Sequence, residues 1–161
     1  MAAYFLDSSA VAKIYVAERG SNSLTGLVDP GQHHEIFVVA LTLVEVAAVL
    51  FRKVRASALS SEEAAGSVRA LREDFERTYR VVEFGPAVSD AALDVAQRHG
   101  LRGYDCVQLG AALTVHQDRA PVHLPSLAFV SADADQRGQR LTMPLHEDSL
   151  PGVSYPVQVL R

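Results

Sequence analysis

The chain has 161 residues, 48% of them hydrophobic and 21% charged, which suits one domain with a buried core and excludes a disordered polymer. A formal charge of −4 excludes a strongly basic nucleic-acid coat, though not an enzyme that touches RNA locally. The single cysteine, Cys106, excludes an internal disulfide and suits a reducing compartment.

Residues 4–6 read as a short buried strand. Ser8 or Ser9 is expected to cap a helix running to about residue 19, with Val11, Ile14 and Tyr15 on one face. A second short helix is expected over residues 22–28, before the turn Asp29-Pro30-Gly31. Residues 35–39 are the next strand, followed by a helix over about 41–55. Ser60 and Glu63 form a capping box, and the helix they open carries Ala64, Val68, Leu71, Phe75 and Tyr79 at helical spacing. Its other face offers the i, i+4 pairs Arg69/Glu73, Glu73/Arg77 and Glu76/Arg80. With the preceding helix it makes a helical hairpin over about residues 41–79. A third strand is read at 80–84. Pro86 then starts a helix that Gly100 stops. Residues 103–117 are apolar on nearly every face, as a helix packed centrally on a sheet requires, and 127–130 make a fourth strand. The tail adds a short edge strand near 157–160.

Strands alternating with helices imply an α/β fold: one domain, with a central parallel sheet of four to five strands flanked by helices on both faces. Residues 36–51 are the longest apolar stretch, but a bilayer needs about 20 residues, and this one contains Thr42 and Glu45. The chain opens on a strand without a charged-then-apolar leader, so no signal peptide and a cytoplasmic location are expected.

Four carboxylates stand beside buried segments. Asp7 ends the first strand, Glu45 lies inside an apolar helix, Asp105 opens the central helix, and Asp133 follows the fourth strand. In open parallel sheets ligands gather outside the carboxyl ends of the strands, which is where Asp7 and Asp133 fall. Four acids in one pocket, about 5 Å apart at an effective dielectric of 20, would repel by roughly 3 kcal/mol per pair. A Mg²⁺ or Mn²⁺ ion would relieve this, with Asp7 and Asp105 as direct ligands and Glu45 and Asp133 directing waters or holding a second ion. Such a site most often works on phosphodiesters. Each acid also has a plain structural reading: Asp7 and Asp133 as caps or turns, Asp105 as a first-turn acid, Glu45 as an outward residue on an amphipathic helix. Glu45 is the sharpest signal, because Glu flanked by Leu43, Val44, Val46 and Ala47 is seldom buried unpaired.

Other residues read as structure. Cys106 is a small core residue, His33-His34 lack metal-ligand spacing, and Arg52, Lys53 and Arg55 suit a helix C-terminus. There is no GxxxxGK[ST], GxGxxG or GxSxG motif.

The segments Phe5-Leu6-Asp7-Ser8-Ser9-Ala10 and Leu41-Thr42-Leu43-Val44-Glu45-Val46 resemble the first half of a PIN domain. Gly100-Leu101-Arg102-Gly103-Tyr104-Asp105-Cys106-Val107-Gln108-Leu109-Gly110-Ala111-Ala112, then Phe129-Val130-Ser131-Ala132-Asp133, resemble the second half. The order and spacing are similar to VapC-type toxins of bacterial toxin–antitoxin pairs, from about residue 3 to residue 145. The resemblance implies a PIN-like domain over 1–145, with 146–161 as an extension of it. It implies a magnesium-dependent endoribonuclease, usually a homodimer, inhibited by a VapB-type antitoxin, with RNA as substrate and no membrane partner. The family's acids carry over to Asp7, Glu45, Asp105 and Asp133, with a hydroxyl from Ser8 or Ser9, and the helical hairpin is where members commonly grip partner chains. Ser131 stands where the family often has Thr. Cys106 replaces a usual Ala and so does Gly110, which is expected to loosen the central helix slightly. Asp135 offers a second acid beside Asp133.

Two rival readings fit part of this pattern. A receiver-like metal-binding signalling module also clusters acids at strand ends but pairs them with a late Lys, and no Lys follows Lys53 here. A catalytically inactive PIN fold serving as a binding protein would have no need of all four acids.

Overall fold

The computed structural model describes residues 2–18, 21–119, 124 and 127–132, together with the strand 157–159. Five strands form one sheet: β1 (Ala3–Leu6), β2 (Glu35–Val39), β3 (Arg80–Val82), β4 (Leu127–Ser131) and β5 (Val157–Val159). Their order is β3-β2-β1-β4-β5 and every pairing is parallel, with Phe5 in register with Phe37 on one side and Phe129 on the other. Burial of β1 on both faces explains its continuous apolar run. Successive side chains point to opposite faces. Leu6 and Val38 therefore join a core under one helical layer, whereas Phe5 and Val39 join a second core on the opposite face.

The first layer holds α1 (Ser8–Tyr15), α2 (Ser21–Leu27), α3 (Thr42–Arg55) and α4 (Ser61–Arg77). The second holds α5 (Pro86–His99) and α6 (Gly103–Arg119). Among the described residues no helix is long and apolar enough to cross a membrane.

Local chemistry sets the helix ends, and it corrects several expectations. The cap of α1 is Asp7, not Ser8 or Ser9: it has extended backbone, and its Oδ1 accepts from Ala10 N at 2.8 Å. That helix stops at Tyr15 instead of continuing to residue 19. Ser21 Oγ donates to the Val16 carbonyl and accepts from Glu18 N, both at 2.9 Å, which ties the start of α2 to the end of α1. The capping box of α4 forms as expected. Gly100 adopts φ 61 and ends α5, donating its N–H to the Ala96 carbonyl at 3.1 Å.

The exposed i, i+4 ion pairs expected along α4 are not made among the described residues. Arg80 instead pairs with Glu35 at 3.0 Å. Exposed pairs contribute only a few tenths of a kcal/mol against the entropy of fixing two long side chains, about 0.3–0.5 kcal/mol on a helix. Gly110, too, does more than loosen its helix. A Cβ there would lie 2.7 Å from Ala92 N, so the glycine permits the close approach of α5 and α6. The apolar stripe of α4 packs inward: Ala64 and Leu71 are fully buried, with Val68 and Phe75 against the same core.

Candidate active site

Strand order reverses beside β1: the chain proceeds outward through β2 and β3, then returns to place β4 on the other side of β1. The carboxyl ends of β1 and β4 therefore bound the crevice where an open α/β sheet takes ligands. Asp7 N donates to the Val130 carbonyl at 3.1 Å, tying the two strand ends together.

Three helices begin at this crevice. Asp7 caps α1, Glu45 lies in the first turn of α3, and Asp105 lies in the first turn of α6. Each acid thus sits at the positive end of a helix dipole. Asp7 Oδ1 accepts from Ser9 Oγ at 2.7 Å as well as from Ala10 N, which fixes the carboxylate's orientation. Ser9 Oγ in turn accepts from Ala132 N at 2.9 Å and lies 3.4 Å from Ser131 Oγ. Lys13 Nζ donates to the Ala132 carbonyl at 3.4 Å. The backbone leading into residue 133 is therefore docked onto the first turns of α1.

Glu45 is half-buried. Its Oε2 accepts from Ser8 Oγ and, at 2.8 Å, from Gln108 Nε2. Gln108 Nε2 also donates to Ser8 Oγ at 2.6 Å and to Thr42 Oγ1 at 3.1 Å. Ser8, Thr42, Glu45 and Gln108 thus form one polar hub joining α1, α3 and α6. Asp105 is exposed and lies three residues before Gln108, on the same face of α6.

The structure thus brings Ser8 and Glu45 into contact, sets Asp7 beside Ser8, and puts Asp105 one turn from the hub. Ser9 and Ser131 meet at the β4 end. Asp133 and Asp135 lie outside the described residues. Among the described residues no group of three His, Cys, Asp or Glu side chains is close enough to hold a metal ion. Asp7, Glu45 and Asp105 therefore do not complete a metal site by themselves. The donor chemistry nonetheless fits a hard cation, because carboxylates and hydroxyls line the hub and oxygen ligands suit Mg²⁺ or Mn²⁺. Glu45 forms no ion pair among the described residues, and its Oε1 accepts from none of their donors.

Sequence reasoning missed Gln108 and Thr42. The available signal was an amide in an otherwise apolar helix, and a threonine three residues before Glu45 on the same face. Cys106 is buried, with Sγ 3.5 Å from the Leu101 carbonyl. Burial, and then the charge of Asp105, push its thiol above the ordinary value, which disfavours a nucleophilic thiolate.

The PIN domain family model matches residues 4–137. The chain belongs to the PIN domain family. Ribonuclease VapC49 of Mycobacterium tuberculosis is 34% identical over 111 residues, covering 69% of this chain and 75% of that protein. Ribonuclease VapC3 of Pyrobaculum aerophilum is 30% identical over 107 residues, covering 66% and 79%. Among solved structures, VapBC2 from Rickettsia felis, bound to a promoter DNA fragment, has a TM-score of 0.60 at 8% identity, covering 99% of both chains. The Mycobacterium tuberculosis toxin VapC20, described as cleaving the sarcin–ricin loop, has a TM-score of 0.56 at 17% identity, covering 82% and 91%. Within the PIN family, this chain is of the VapC type.

Proposed function

We propose that this PIN-domain protein is a divalent-metal-dependent endoribonuclease, the toxin of a VapBC-like pair, held in check by a VapB-type antitoxin in the cytoplasm. Support for ribonuclease activity comes from family membership and from the VapC ribonucleases it resembles. The observation that carries the site is the hub of Ser8, Thr42, Glu45 and Gln108 at the β1/β4 crevice, with Asp7 and Asp105 beside it.

In this reading Asp7, Glu45, Asp105 and Asp133 are the acids of the site, with Ser8, Ser9, Ser131 and Asp135 supporting them. A bound Mg²⁺ or Mn²⁺ supplies an activated water and charge stabilisation at the scissile phosphate. The rest is positioning by the chain. Asp7 is fixed by its cap, and Glu45 is fixed through one oxygen by Ser8 and Gln108. Ser9 and Lys13 hold the segment entering Asp133 against α1. Three helix N-termini directed at the crevice favour the polyanionic backbone of RNA.

The outward side of α3, where Val44 is 68% and Phe51 43% exposed, is our candidate contact for antitoxin or a second copy of the chain. The inward stripe with Phe75 is already taken by the protein's own core. The test is cleavage of RNA by purified protein with Mg²⁺ or Mn²⁺, and its loss with chelator. Cleavage indifferent to chelator would reject the metal-dependent reading, and no cleavage under any divalent ion would reject the nuclease.

A further inference from the structure

Gln108 is the residue on which the hydrogen bonds of the site converge, although the acids alone account for the proposed chemistry. We propose that Gln108 is a positioning residue for Glu45: its amide nitrogen, together with Ser8 Oγ, engages Glu45 Oε2 and leaves Oε1 for a divalent cation or its water. The proposal rests on the metal-dependent reading above.

The first support is the location of the amide. Gln108 is only 5% exposed and lies in a helix whose neighbours Leu109, Gly110, Ala111 and Ala112 are all buried. A Met or Leu would fill comparable space without burying an amide.

The second support is the orientation of the amide. Two protons on Nε2 serve three acceptors, Ser8 Oγ, Glu45 Oε2 and Thr42 Oγ1. Meanwhile Gln108 Oε1 is buried without a hydrogen-bond partner among the described residues. A buried acceptor left unsatisfied carries the cost of its desolvation uncompensated. Turning the amide over would offer Oε1 to the hydroxyls of Ser8 and Thr42. It would also put that oxygen against the carboxylate at the 2.8 Å separation now occupied by an N–H donor. The charge on Glu45 therefore selects the orientation, and the orphaned carbonyl is the cost of serving it.

The third support is register. Asp105 and Gln108 share one face of α6, so the helix that presents one acid of the site also fixes the carboxylate of another, carried by α3. Partners that orient ligating groups typically contribute 10–100-fold in metal affinity or activity.

The experiment compares wild type with Gln108→Met. Mn²⁺ affinity is read by calorimetry on protein alone, and kcat and KM by cleavage of an RNA oligonucleotide. Gln108→Met, with helical circular dichroism and cooperative melting retained, should bind Mn²⁺ about 10–100-fold more weakly and lose kcat with KM for RNA unchanged. Wild-type Mn²⁺ affinity and kcat in the folded variant would overturn the proposal. If Gln108→Met does not fold, the wild-type protein carries the test. Its Gln108 side-chain amide resonances should move during Mg²⁺ titration with the midpoint of calorimetric binding, and resonances unmoved at saturation overturn the proposal. Wild type that neither binds Mn²⁺ nor cleaves RNA overturns the nuclease reading and this proposal together. An active, Mn²⁺-binding wild type beside an unaltered variant overturns the positioning role alone.

Discussion

Helix α1 meets a half-buried polar network at each end, and the two are built differently. At its C-terminal end Tyr15 Oη donates to Asp74 Oδ2 at 2.6 Å and lies 2.8 Å from Tyr79 Oη, while Thr78 Oγ1 donates to Asp74 Oδ1 at 3.0 Å. Both oxygens of Asp74 are engaged. Burial, reinforced by Tyr79 and Asp74, pushes the Tyr15 phenol far above its ordinary value, and burial raises Tyr79 as well, so neither ionises in the working range. At the N-terminal end Glu45 has one oxygen held twice, while its other oxygen and the neighbouring Gln108 amide carbonyl have no hydrogen-bond partner among the described residues. A closed network fastens α1 to α4. An open one retains hydrogen-bonding capacity that the described residues do not fill.

The contrast predicts which substitutions remove activity and which remove stability. The largest effect is expected for Asp105→Asn. Loss of a charged site acid costs several kcal/mol of transition-state stabilisation, about 10³-fold in RNA cleavage. Because Asp105 is exposed, the melting temperature should stay near wild type, and a variant cleaving at the wild-type rate would remove Asp105 from the site. Next, Mg²⁺ or Mn²⁺ at 100 times Kd should stabilise the fold by about 2.7 kcal/mol, read by thermal melting. A flat titration would leave the open network without its cation. At the closed end, Tyr15→Phe strips one donor from Asp74 and should cost about 1–3 kcal/mol in denaturant unfolding, with cleavage per folded molecule unchanged. Reduced cleavage with stability intact would erase the distinction between the two networks.

The smallest effect belongs to a site remote from both. Glu63 is held below its ordinary carboxyl value of 4.5 by hydrogen bonds from the Ser60 side chain and backbone. A depressed folded value contributes stability present above the unfolded value and lost as pH falls through the folded one. The destabilisation caused by Ser60→Ala should therefore shrink on acidification below pH 4.5, as read by melting. A difference constant with pH would show that the Ser60 hydroxyl does nothing to hold the Glu63 carboxylate in its charged form.

Much of the architecture was legible because buried parallel strands are short apolar runs, and caps such as Ser60, Pro86 and Gly100 act through immediate neighbours. Periodicity located the apolar stripe of α4, but could not tell whether the stripe faced the protein's own core or a partner. Charge spacing suggested ion pairs along α4 that exposure leaves unmade. For the candidate site, carboxylates among apolar residues were visible as anomalies. Gln108 was not, because glutamine is an ordinary helix surface residue until Ser8, Thr42 and Glu45 are brought beside it from distant parts of the chain. Likewise, Gly110 reads as a weak helix former until Ala92 is seen against it.

The reversal of strand order beside β1 has a consequence in time. The crevice is walled by the opening turn of the chain, by helices from its middle, and by a strand that emerges from the ribosome only after α6 is complete. Until β4 docks, Asp7 N lacks its Val130 acceptor and Ser9 lacks the Ala132 N–H. A nascent chain therefore lacks the closed crevice until β4 has been made, and the site is among the last parts of the sheet to be assembled.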